Sequence, residues 1–172
     1  MDKKYELTDE TRETDGHILY RIRALRYFGY INTGDLGGFV ESEDNLSHEG
    51  NCWVGGDACV YGEARVTQNA FISDYANVSG RAQVSGRAKV RDYALITNHA
   101  QVQENAFVIG AGRVSGHAQV SGDAFVKDHA HITGHAQVSG DVKVFNNVLI
   151  TGNANISGKS QIGGNIVIAH DI

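Results

Sequence analysis

The chain has 172 residues, 41% of them hydrophobic, with a formal net charge of −5 and two cysteines. That balance argues against a nucleic-acid binder, which carries a basic face; two cysteines fall short of a disulfide framework or a metal cluster; and no run approaches the ~18 apolar residues of a membrane helix. The expected setting is the reducing cytoplasm.

The excess negative charge lies at the front, where residues 1–49 hold six Lys/Arg against eleven Asp/Glu. This segment is polar and has no apolar leader core. Tyr5 to Thr8 and Ile18 to Leu25 have strand-like composition and alternation, and the charged, Gly-containing stretch between them is expected to form a hairpin turn. Val40, Leu46 and Cys52 then keep a six-residue spacing that is two residues out of phase with everything after it. Residues 1–49 are therefore expected to form a β cap with a distorted first coil, and residues 50–172 a solenoid.

From Val54 to Ile168 every sixth residue is Val or Ile. A small residue precedes most of them by two, as at Ala58, Ala64, Ala70, Ala100 and Ala118, so each pair points to one side of a short strand. A period of six fits neither a helix nor a hairpin sheet and marks a parallel β-helix. Four residues of strand and a two-residue corner should make up each unit. Gly, or Asp and Asn as at Asp74, Asp92, Asn98, Asp128 and Asn146, stands four residues before the Val/Ile, the place for left-handed backbone at a corner. The chain contains no proline, as suits strands whose amides all donate to a neighbouring coil.

Outward positions eighteen residues apart share chemistry, which implies three sides per coil and about seven coils, roughly 30 Å tall at ~4.8 Å per strand. Gln101, Gln119 and Gln137 belong to an amide column; Trp53, Phe71, Phe107 and Phe125 belong to a largely aromatic one; Tyr75 and Tyr93 stack on a second face. These are candidate binding residues, because flat aromatic surfaces concentrate interface energy. Cover of the aromatic column by the N-terminal strands is the competing reading. Ile166, Val167 and Ile168 end the repeat without a cap, a strand edge suited to pairing with a second copy, and a homodimer is the favoured assembly, through this edge or through the aromatic column with Ile109 and Phe145 beside it.

His99, His117 and His135 stack eighteen residues apart and are weak candidates for a metal, with His129 and His131 on the next face. Successive parallel strands point such side chains the same way, whereas zinc wants tetrahedral convergence. Neither a catalytic constellation nor a cofactor is expected. Cys52 falls in the inward register and Cys59 in an outward one, so no bridge is expected between them. The cluster Arg81, Arg87, Lys89 and Arg91 is too small for a nucleic-acid face.

The repeat over residues 50–168 resembles the left-handed β-helix of the hexapeptide-repeat superfamily, the architecture of LpxA-like acyltransferases and γ-class carbonic anhydrases. Its Gly-x-Ala-x-Val-Ser units, as in Gly116 to Ser121, look like the YdcK-like group of that superfamily. The front end, Ile22 to Leu25 and Gly34 to Ser47, is similar to the head of β-solenoids common in phages and prophages. Left-handedness is implied by the resemblance alone. The transferases interrupt their coils with a loop that shapes the substrate pocket, and this register runs on without one. The expectation is a non-enzymatic binding protein, phage encoded and acting in the host cytoplasm on a protein partner, such as a CRISPR defence complex. A divergent acyltransferase, a γ-carbonic-anhydrase-like metal enzyme and a structural polymer are the alternatives.

Overall fold

The computed structural model describes residues 2–170. Its body is a three-sided parallel β-solenoid of about seven coils, and among the described residues there is no α-helix. Each coil contributes one strand to each side, so partners lie eighteen apart, as in Phe71↔Lys89, Asn77↔Leu95 and Gln83↔Gln101. Three sheets result, which we call the ring face (Trp53 to Gln161), the cap face (Cys59 to Val167) and the amide face (Arg65 to Asn155).

The core follows from the six-residue register. Every Val/Ile from Val54 to Ile150 and every alanine two residues before them is fully buried, in one cluster along the prism axis. Each branched side chain removed from water contributes about 1.5–3 kcal/mol, and alanine in the alternate slot leaves room for three sheets to meet at one axis.

The corners depart from the expected division. Most repeat strands are two residues long, as at Phe71–Ile72, and four residues make the corner. The small residue's amide donates back to the carbonyl three positions before, Ala76 to Ser73 at 3.2 Å and Ala100 to Thr97 at 3.2 Å, which closes a tight turn. The turn's second residue is left-handed. Glycine serves at Gly116 and Gly134, Asp or Asn at the five positions foreseen, and Gln68 and Glu104 also take φ of 61° and 60°. The non-glycine corners have a use. Asp92 Oδ2 accepts the Gly110 amide at 2.9 Å, Asp128 Oδ2 that of Asn146 at 3.0 Å, and Gln68 Oε1 that of Gly86 at 2.6 Å, so the side chain of one coil satisfies a corner donor of the next.

The cap extends the cap face. Strand β1 (Tyr5–Thr14) and strand β2 (His17–Ala24) form a hairpin turned at Asp15 and Gly16; β2 pairs antiparallel with β3 (Leu36–Val40), which runs parallel to Cys59–Val60. The hairpin turn thus falls within the expected charged stretch, at Asp15 and Gly16, but occupies only its end: the part up to Thr14 is strand, with a register shift between Leu7 and Thr11. Val40 stands on Val60, Leu46 bridges to Val66 and Val54 pairs with Ile72, so residues 47–52 absorb the two-residue phase slip.

Candidate functional site

The cap decides which outward residues remain available. Trp53, assigned by its register to an exposed aromatic column, is only 2% exposed. Phe28 meets it edge-on at 5.4 Å between centroids and Tyr5 at 6.4 Å. Cover within the chain stops there: Phe71, Phe107 and Phe125 stay partly exposed, with Phe107 and Phe125 tilted at 5.7 Å. Cys59, also outward by register, is closed over with Leu19, Phe39 and Tyr61. Both cysteines are free and buried.

Lys4 is the cap's anchor. Fully buried, it donates through Nζ to the Cys52 carbonyl at 2.8 Å and approaches Cys52 Sγ at 3.3 Å. Burial lowers the Lys4 pKa and raises that of Cys52, each against the pull of the other.

Beside the ring face the corner toward the cap face carries Tyr75 and Tyr93. Their rings stack at 5.2 Å with 6° between planes, and they are 59% and 68% exposed. The backbone beneath is fixed by corner carboxylates. Burial opposes ionisation of Asp74, yet the Asp92 amide, the Ser73 hydroxyl and the Arg91 guanidinium together hold its carboxyl below the ordinary value. Past Tyr93 the column continues with Ala111 and exposed His129, and a shallow depression opens there.

The amide face behaves differently. Gln101 and Gln119 are partly buried and Gln137 is exposed, aligned strand upon strand. Along its corner His99, His117 and His135 stack at 4.6 and 4.9 Å with planes 5° and 6° apart. Rings in parallel planes do not aim nitrogens at one point, and no group of three or more His, Cys, Asp or Glu among the described residues is arranged to hold a metal. His131 lies on the cap face, its Nε2 2.8 Å from Ser115 Oγ, and burial together with Arg113 lowers its pKa. The Ser115 hydroxyl donates onward to Thr133 Oγ1 at 2.9 Å. With that hydroxyl directed at Thr133, the Ser115 proton is not aimed at the imidazole, as activation of a serine nucleophile requires.

The basic cluster divides. Arg81 joins the histidine corner and pairs with Glu63 at 2.8 Å. Arg87, Lys89 and Arg91 stay together on the ring face, where they line a cleft of about 610 Å³ with Tyr30, Ile31, Asn51, Asn69, Phe71 and Ser73. Tyr30 stands at the tip of a cap loop closed by reciprocal backbone bonds between Phe28 and Ile31, and it is 98% exposed. No repeat marks Tyr30, so the sequence offered only the Phe-Gly-Tyr turn composition as a signal. At the far end Val167 pairs with Leu149 and is 67% exposed, Ile166 is 44% exposed, and Ile168 is largely buried at 8%.

No protein-family model matches the chain. Over 80 residues it is 32% identical to the "Uncharacterized acetyltransferase YdcK" of Escherichia coli (strain K12), a stretch covering 41% of this chain. The match takes in 24% of that protein, so the chain spans about a quarter of the relative's length. The resemblance agrees with a hexapeptide-repeat β-helix.

Proposed function

We propose that this chain is a non-enzymatic binding module whose partner is a protein, docked on the ring face and on the corner of Tyr75 and Tyr93. The observation that carries the reading is that exposed, mutually stacked pair on a backbone pinned at every coil. Two rigid aromatic rings offer contact area with little entropy left to lose on binding, which is what interface anchors require. The similarity of the head to phage and prophage solenoids supports a narrower version, a phage-encoded protein that blocks a host defence complex. Self-association through the strand edge at Val167 belongs to the same reading, since it leaves the ring face free.

The name of the relative raises acyl transfer as a second reading. Its specific support is the 80-residue match; against it stand the uninterrupted coils from Val54 to Ile168 and a Ser115 hydroxyl directed at Thr133. Thiol release from acetyl-CoA, followed with and without amine acceptors, separates the two. The binding reading expects release at the uncatalysed rate, and turnover that saturates with acetyl-CoA would replace it with the enzyme.

A further inference from the structure

We infer that the cleft at the foot of the cap loop receives an extended acidic segment of the partner protein, with an aromatic side chain of that segment against Phe71 and Tyr30. This rests on the reading of the chain as a protein-binding module.

Charge gives the first reason. The chain is acidic overall, with a net charge of −5, yet three cations crowd this cleft. Arg91 is partly spoken for by Asp74 at 3.4 Å. Arg87 has no carboxylate partner among the described residues, and Lys89 only lays its ammonium 5.2 Å from the centre of the Phe107 ring. Both are exposed. Unneutralised like charges on neighbouring positions repel one another, a cost that an incoming anion removes.

Spacing gives the second. Ala88 and Val90 are fully buried and Arg87, Lys89 and Arg91 face outward around them, Lys89 on the strand Lys89–Val90 and the two arginines in the corners that flank it. Alternate residues of an extended peptide recur at about 6.6 Å. A peptide laid alongside presents its own alternate side chains at that pitch, so carboxylates at every second position meet successive cations. A compact anion would meet one or two of them.

The third reason is the apolar floor. Tyr30 is almost wholly in water although it sits on a loop fixed by two backbone hydrogen bonds, and Phe71 lines the same cleft. An aromatic residue entering between them is desolvated on both sides. Asn51, Asn69 and Ser73 line the rim, where a peptide backbone needs hydrogen-bond partners.

The test is fluorescence anisotropy on the full chain with a labelled short peptide that alternates glutamate with threonine around one central phenylalanine. Saturable binding at low salt is expected. It should weaken about tenfold for the glutamine-for-glutamate peptide and for Arg87→Glu combined with Lys89→Glu, and Tyr30→Ala should weaken it with the salt response unchanged. Thermal melts of the variants, whose altered side chains are exposed, check that they fold. Equal affinity for the glutamine peptide, no binding by wild type, or displacement of the peptide by ATP at lower concentration than by unlabelled peptide would each overturn the inference. Because the peptide probes only the cleft, its failure leaves capture through Tyr75 and Tyr93 intact. Capture retained by the tyrosine variants, with peptide binding unchanged, would instead count against the wider docking surface.

Discussion

Tyr75 and Tyr93 lie one coil apart with their rings nearly parallel, 5.2 Å between centroids and 6° between planes. The pair is exposed, so its contribution to folding is small. A double-mutant cycle through Tyr75→Ala and Tyr93→Ala should give a coupling energy no larger than about 1.5 kcal/mol in urea denaturation. A larger value would mean that the rings are part of the fold rather than display groups on it.

The corner carboxylates make a sharper stability prediction. Asp92 combines a left-handed backbone, φ 59°, with an acceptor for the Gly110 amide. Asp92→Ala loses the acceptor and the local side-chain bonding that makes left-handed backbone tolerable for aspartate, a cost of about 1–3 kcal/mol. Asp92→Gly relieves the backbone and should recover part of it. Chemical denaturation of both variants checks the order, and equal losses would show that only the hydrogen bond matters.

Acid should act first on the cap. His17 and then the Gly62 amide hold the Glu41 carboxyl below its ordinary value, and Lys3 followed by His48 does the same for Glu43 against some burial. A carboxylate whose folded pKa is depressed contributes stability that is present above its unfolded value near 4.5 and is lost as pH falls through the folded value. Relative to the intrinsic exchange rate at each pH, amide protection is therefore expected to fall in β1 and at Gly62 below about pH 4.5, while the middle coils, whose core is aliphatic, stay protected. Uniform loss of protection along the chain would contradict this.

The repeat core and the three-sided prism were legible in the sequence because one physical period, six residues, governs burial and another, eighteen, governs stacking. Residues outside both periods were not. Trp53 has the right register for the ring face, but Tyr5 and Phe28 approach it from a segment with no repeat to reveal its path. Gln68 and Glu104 were missed as corner residues because neither is a usual left-handed residue; their side-chain bonds to Gly86 and Gly122 account for the exception. Arg81 reads as a neighbour of Arg87, yet the strand Gln83–Val84 separates their two corners and leaves Arg81 in the histidine column.

Self-association has its own test at Val167. Light scattering coupled to size exclusion is expected to give a dimer for the wild type and a monomer for Val167→Lys, since an exposed strand residue made cationic discourages edge pairing. A wild-type monomer would remove the dimer from the account, and a dimer that survives the substitution would move its interface elsewhere.

The central claim is that partner binding runs through the aromatic corner. Its most direct test is quantitative capture from bacterial lysate, followed by mass spectrometry, with three immobilised forms: wild type, Tyr75→Ala with Tyr93→Ala, and Gln101→Ala with Gln119→Ala on the opposite side. The account predicts a specific protein retained by wild type and by the glutamine variant and lost with the tyrosines. Retention by the tyrosine variant, or loss with the glutamines instead, would contradict it.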